Sequence, residues 1–154
     1  MKFFIRISIG ILVFLISLTV YTIWDNNRIR VMEETIYIED LPADLQGFQI
    51  LQIADLHEKT FGKGQEKLIQ TINELEYDVA VFTGDMLNDE NSDNYDPTYS
   101  LLDGMDNLND ALFVPGNTDP GGVFTGPTYS LDQHDFITGM SDRGVEQLDA
   151  VQND

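Results

Sequence analysis

The sequence contains no cysteine. Disulfide frameworks, cysteine-ligated zinc, iron–sulfur clusters and a thiol nucleophile are therefore excluded, and the redox compartment stays open. Positive charge is also scarce: 8 Lys and Arg stand against 27 Asp and Glu, for a net charge of −19. Nonspecific nucleic-acid binding needs Lys and Arg to neutralise phosphates, so no nucleic-acid partner is expected. No internal repeat or low-complexity tract occurs. With 42% hydrophobic and 23% charged residues, the 154-residue chain has an ordinary globular composition and room for one modest domain.

Hydrophobicity is concentrated at the start. From Ile7 to Trp24 there are 18 consecutive uncharged residues, mostly Ile, Leu, Val and Phe, which as a helix span about 27 Å, roughly a bilayer's hydrocarbon core. Lys2 and Arg6 precede the run, and Tyr21 and Trp24 sit where an interfacial belt would lie. No small-x-small cleavage signature follows. Residues 1–30 are read as an uncleaved signal anchor, with a cleaved signal peptide as the alternative. The expected location is the cell membrane, single-pass, with a cytoplasmic N-terminus and an extracytoplasmic soluble part; Arg28 and Arg30 reduce the charge asymmetry behind that orientation.

Residues 31–154 hold 4 basic residues (Lys59, Lys63, Lys67, Arg143) and 26 acidic ones, a charge of about −22, which should keep this part off anionic lipid surfaces. Asp89, Glu90, Asp93, Asp96, Asp103 and Asp106 fall in a stretch without Lys or Arg. Lacking the ligand alternation and closing Glu of a calcium loop, it reads as a solvated acidic surface.

The hydrophobic pattern predicts strands at Thr35–Ile38, Phe48–Ala54, Val79–Thr83 and Ala111–Val114, with a turn through Leu41-Pro42-Ala43-Asp44. Leu68, Ile69, Ile72 and Leu75 fall at helical spacing, as do Leu101, Leu102, Met105 and Leu108, so two crossover helices are expected. Asp96 is the expected N-cap of the second, with Pro97 at its first position. A third helix is expected from Ser130, with Ser130 and Gln133 as a capping box, Ile137 and Met140 facing the core, and Gly144 as its stop. Alternation of apolar strands with helices implies an α/β fold with a mainly parallel sheet.

In open α/β sheets, ligands collect beyond the carboxyl ends of the strands. Three core strands here run directly into Asp55-Leu56-His57, Gly84-Asp85 and Gly116-Asn117. Each element alone is weak, since Asp-x-His arises by chance and Gly-Asp and Pro-Gly-Asn are common turns. In this order, each at a strand end, they would bring carboxylate, imidazole and amide groups to one edge. Such donors suit divalent Mn, Fe, Zn or Mg.

Leu51-Gln52-Ile53-Ala54-Asp55-Leu56-His57, Val81-Phe82-Thr83-Gly84-Asp85 and Phe113-Val114-Pro115-Gly116-Asn117-Thr118-Asp119 together resemble the calcineurin-like metallophosphoesterase superfamily, in its membrane-anchored bacterial branch. The similarity runs from about Ile29 to Val145, including Asp40-Leu41-Pro42 through Gly47-Phe48. The resemblance implies that Asp55 and His57 bind one metal, that Asp85 bridges two, and that Asn117 binds the second. It implies phosphoester hydrolysis by a metal-bound hydroxide, with a catalytic set of Asp85, Asn117 and Thr118, and with Gly84 and Gly116 turning the backbone sharply beside the metals.

Two departures from the family pattern matter. Thr118 stands where many relatives carry a histidine that contacts the phosphate; threonine cannot act as its acid, which shifts expectation toward activated esters or diesters. Asp119 is read either as an aid to the site or as a turn former with Pro120-Gly121-Gly122. Family members also continue into a second half that supplies further histidines and a second sheet, whereas this sequence holds only His57 and His134, the latter read as a solvated helix residue. Residues 31–154 are thus expected to be the N-terminal half of a metallophosphoesterase-type α/β sandwich, truncated, with apolar faces left uncovered. On this reading the chain alone binds one of the family's two divalent ions, and a second chain could complete the site.

Two functions follow from this reading. The first is a membrane-tethered, metal-dependent phosphohydrolase acting on a phosphomonoester, a phosphodiester or, by proximity to the membrane, a lipid-linked pyrophosphate. The alternative is a noncatalytic metal-binding or interaction module of the same fold.

Overall fold

The computed structural model describes residues 2–120 and 134–148. It divides into two compact units, Met1–Thr35 and Ile36–Asp154.

The first unit is dominated by helix α1, Lys2–Asn26. Within Phe3–Asn26 an 18-residue stretch has a mean hydropathy of 2.4, and none of it is buried by protein. This helix is long and apolar enough to span a membrane. At its end, the Asp25 carboxylate accepts from Arg28 at 3.0 Å and Arg30 at 2.7 Å, and the Arg28 guanidinium lies over the Trp24 ring.

The second unit is an α/β layer built on four parallel strands in the order β1-β2-β3-β4. They are β1 Ile50–Ile53, β2 Val79–Phe82, β3 Ala111–Phe113 and β4 Val145–Gln147, connected by α2 Glu66–Asn73, α3 Asp96–Gly104 and α4 Asp135–Ser141. Ile50 pairs with Val79, Phe82 with Phe113, and Phe113 with Gln147. Because side chains alternate along a strand, Ala80 and Phe82, Ala111 and Phe113, and Val145 share one face. They pack against Ile72 of α2, Leu101 and Leu102 of α3, and Phe136, Ile137 and Met140 of α4. Phe136 stands edge-on to Phe113 and stacks on Tyr99, with centroids 5.9 and 6.0 Å away. The opposite face leaves Ile50, Val114 and Leu148 exposed.

Several expectations are corrected. Thr35–Ile38 forms no strand, and Ile36, Tyr37 and Ile38 are exposed; alternation supplies β-propensity, but a strand also needs a partner, and among the described residues this segment pairs with none. A short 3₁₀ turn, Ala43–Leu45, occupies the expected turn. Tyr95, rather than Asp96, is the N-cap of α3, so Asp96 lies in the first turn and no side chain caps it. Helix α3 stops before Met105 and Leu108 because Asn73 of α2 intercepts its end: its amide donates to the Gly104 carbonyl at 2.9 Å and its side-chain oxygen accepts from Asp106 N–H at 3.1 Å. Ser130 and Gln133 lie outside the described residues. The described part of the third helix is capped by His134, whose Nδ1 accepts from Phe136 N–H at 3.2 Å. Ile137 and Met140 are buried as expected, and Gly144 has a φ of +86° just past the helix.

Candidate metal centre

Pairing does not stop where the strands do. Thr83 N–H donates to Ile53 O, Asp55 N–H to Gly84 O, His57 N–H to Asp85 O and Glu58 N–H to Met86 O, at 2.9–3.1 Å. The loops leaving β1 and β2 are therefore zipped together. Asp55, His57, Glu58 and Asp85 all adopt positive φ, between 46° and 55°, a region that costs a non-glycine residue energy and persists only when the surroundings enforce it. The loop leaving β3 closes on the same edge. A Cβ on Gly84, itself at φ +86°, would lie 2.6 Å from both Cα and N of Gly116, and one on Gly116 would collide with the Asp85 carboxylate and backbone N. Backbone approach this tight admits only glycine at both positions.

This framework brings together Asp55, His57 and Asp85, with one ligand atom from each lying within 4.8 Å of the others. His57 Nε2 is 3.9 Å from Asp55 Oδ1 and 4.0 Å from Asp85 Oδ2. On its other side, His57 Nδ1 is 3.1 Å from the Leu87 carbonyl. A carbonyl only accepts, so Nδ1 carries a proton, and Nε2, directed at the two carboxylates, is the nitrogen placed to meet a cation. Two carboxylate oxygens and an imidazole nitrogen form a borderline-hard donor set; a cation about 2.0–2.2 Å from each donor needs them about 3.0–3.6 Å apart, a few tenths of an ångström to about 1 Å closer than here, which rotation of the exposed Asp55 and His57 side chains can supply. The residues present thus fit one divalent cation. Side-chain exposure runs from 72% at Asp55 through 42% at His57 to 20% at Asp85, so the cluster opens to solvent on the Asp55 side.

Asp85 is the most constrained of the three. Its Oδ1 accepts from Thr118 N–H at 3.1 Å and faces the Thr118 hydroxyl at 2.9 Å, leaving Oδ2 turned toward His57. The Thr118 backbone N–H, then its hydroxyl, and less strongly the nearby His57, hold the Asp85 carboxyl below the usual carboxylate range. The single Thr118 hydroxyl proton is shared between Asp85 Oδ1 and the Leu87 carbonyl, 2.8 Å away. Asn117 is exposed on the same loop, with its backbone N–H directed to Asp85. His134 stands apart as the α4 cap, its ring edge-on to Tyr95.

Two further residues shape this edge. Glu58, next to His57, accepts from Asn88 N–H at 3.0 Å and from the Asn94 amide at 2.9 Å. Burial raises its pKa, but hydrogen bonds from Ser92, Asn88 and Asn94 outweigh that, and its carboxyl titrates below the ordinary value. Glu58 thereby ties down the acidic stretch, whose Asp89, Glu90, Asp93, Asp96, Asp103 and Asp106 are all exposed. The second is Asp119, 2% exposed. No periodicity marks either role, because both rest on hydrogen bonds to backbone some thirty residues away.

The profile of the calcineurin-like phosphoesterase family matches residues 48–149, which contain this whole edge. The chain belongs to the calcineurin-like phosphoesterase family. It is also 33% identical, over 110 residues, to a protein of Bacillus subtilis (strain 168) described as an uncharacterized metallophosphoesterase, YkuE. The match covers 68% of this chain and 38% of that protein, so the chain spans well under half the length of the curated relative it matches. No solved structure matches the chain. Membership of the calcineurin-like phosphoesterase family accords with the parallel sheet, and with a donor cluster at the carboxyl ends of its strands.

Proposed function

We propose that this chain carries the cation-binding edge of a membrane-tethered, metal-dependent phosphohydrolase. The observation that carries this reading is the convergence of Asp55, His57 and Asp85, with His57 Nε2 facing both carboxylates. Asp55, His57 and Asp85 hold a divalent cation of the Mn, Fe, Zn or Mg class, and Asn117 stands on the adjoining loop for a second. When bound, such cations supply an activated water nucleophile and positive charge against the transferring phosphoryl oxygens. The Leu87 carbonyl keeps His57 in the tautomer that presents Nε2, and Thr118 holds the Asp85 carboxylate with Oδ2 turned inward. With its hydroxyl engaged by Asp85 and Leu87, Thr118 provides no proton to a leaving group. That favours activated monoesters, phosphodiesters or pyrophosphates as substrates.

Residues 1–30 serve as the anchor and 31–154 as part of the phosphoesterase domain. A cytoplasmic N-terminus, with the phosphoesterase part outside the cell membrane, is supported by Lys2 and Arg6 at the start and by Asp25, which offsets Arg28 and Arg30 at the far end. That setting favours lipid-linked phosphate esters.

The test is manganese-dependent hydrolysis of bis(p-nitrophenyl) phosphate and p-nitrophenyl phosphate by the full chain in detergent micelles, beside Asp85→Asn. Turnover lost in the variant supports the hydrolase. Manganese binding without turnover of either ester favours the noncatalytic metal-binding module, a reading encouraged by a donor set that, among the described residues, suffices for one cation.

A further inference from the structure

Asp119 is the one carboxylate buried among the described residues. Burying a charge is costly unless hydrogen bonds compensate it, and three backbone N–H groups do so here. Oδ1 accepts from Met86 at 2.9 Å and from Leu87 at 3.0 Å, and Oδ2 accepts from Gly116 at 3.0 Å. The bond to Gly116 is a local loop contact. The other two reach 32 and 33 residues back, into the loop that follows Asp85.

We infer that Asp119 is a positioning residue that locks the loop after β2 to the loop after β3 and so sets the cation site, an inference that rests on the metal-dependent reading above. Its three contacts lie in two of the donor-bearing loops and reach the third, with His57, through Leu87. Met86 directly follows Asp85. Leu87 supplies the carbonyl that orients His57 and receives the Thr118 hydroxyl. Gly116 directly precedes Asn117 and is pressed against Asp85. The chemistry calls for a carboxylate in particular: three N–H donors converge on two oxygens, and an amide would set an NH₂ against one of them. A residue that only turned the chain would need the Gly116 bond alone.

The experiment compares Asp119→Asn and Asp119→Ala with the wild type as full chains in micelles, reading Mn²⁺ affinity by calorimetry, amide hydrogen exchange and Tm. Asparagine keeps the volume and one acceptor oxygen, so a folded protein with about tenfold weaker Mn²⁺ binding is expected; alanine should approach the hundredfold loss typical when a group that orients metal ligands is removed. Exchange at Met86, Leu87 and Gly116 should accelerate by about tenfold or more in the alanine variant, as for a lost bond to a charged acceptor. Met140→Ala, in the core beneath α4, serves as the control: it lowers Tm and should leave Mn²⁺ affinity unchanged. Wild-type affinity in both Asp119 variants, or an equal loss in a control of matched Tm, overturns the inference. If the wild type itself binds no Mn²⁺, the metal-dependent reading fails instead. Amide exchange then decides separately whether Asp119 couples the two loops, unchanged rates at the three amides ruling that out.

Discussion

Gly84 and Gly116 meet backbone to backbone, so closely that a Cβ on the first would lie 2.6 Å from the Cα and N of the second. This contact sets the separation of the loops leaving β2 and β3, and with it the place of Asp85. Gly84→Ala combines that collision with a φ of +86° and is expected to cost at least about 1–3 kcal/mol, the range for a strained backbone position. Gly116→Ala should displace the Asp85 carboxylate itself. Thermal unfolding followed by circular dichroism measures the first effect; Mn²⁺ titration of the folded Gly116→Ala protein measures the second.

Thr118 holds Asp85 by two donors on one oxygen. Thr118→Val keeps the shape and the backbone donor but removes the hydroxyl, and is expected to weaken Mn²⁺ binding by about tenfold, in line with roughly 1–1.5 kcal/mol for one hydrogen bond. Thr118→Ser should restore most of it. A serine variant as weak as valine would show that the methyl packing, rather than the hydroxyl, matters.

Cation binding should stabilise the second unit by mass action. At a Mn²⁺ concentration about 100 times the dissociation constant, the gain is about 2.7 kcal/mol, seen as a rise in Tm that EDTA reverses. His57→Ala removes the only imidazole in the cluster and should abolish that rise while changing the metal-free Tm little, because the ring is 42% exposed.

At alkaline pH the core should loosen. Burial raises the pKa of Tyr77, Tyr95 and Tyr99, with nearby carboxylates adding to the effect and Arg143 opposing it at Tyr99. A group whose pKa is higher in the folded state gives its full stabilisation below the unfolded value, about 10, and loses it as pH rises through the folded one. Tyr77 and Tyr99 also donate to the carbonyls of Asn107 and Phe136, bonds that a phenolate cannot make. Stability measured by urea unfolding should therefore fall above pH 10, and Tyr77→Phe should make that fall shallower.

Phe136 is fully buried between Phe113 and Tyr99. Phe136→Ala should cost about 3–5 kcal/mol, a large fraction of the roughly 5–15 kcal/mol that holds an ordinary domain folded. Near-ultraviolet circular dichroism would report the loss of packing.

The site was legible in the sequence to the extent that it lies at strand ends. The apolar runs ending at Ile53, Phe82 and Phe113 fix three strands by local hydrophobicity alone, and the polar residues after them then fall on one edge by topology. Asp55, His57 and Asp85 could be named for that reason. The strand expected at Thr35–Ile38 did not form, while Val145–Gln147, too short to carry a pattern, became β4 because Ala111–Phe113 offered it an edge. Strand formation is a pairwise property, and a sequence states only one partner's readiness.

What the sequence determined by itself was the membrane-length helix, the acidic charge, the absence of thiol chemistry and the order of the donor-bearing strand ends, all of which depend on composition and short-range period. Only the tertiary structure decided which Asp85 oxygen faces His57, which His57 nitrogen is free, and that Asp119 is a buried clamp instead of a surface turn. Those depend on single hydrogen bonds between backbone and side chains about thirty residues apart, and such bonds leave no periodic trace along the chain because their geometry exists only once the loops have met.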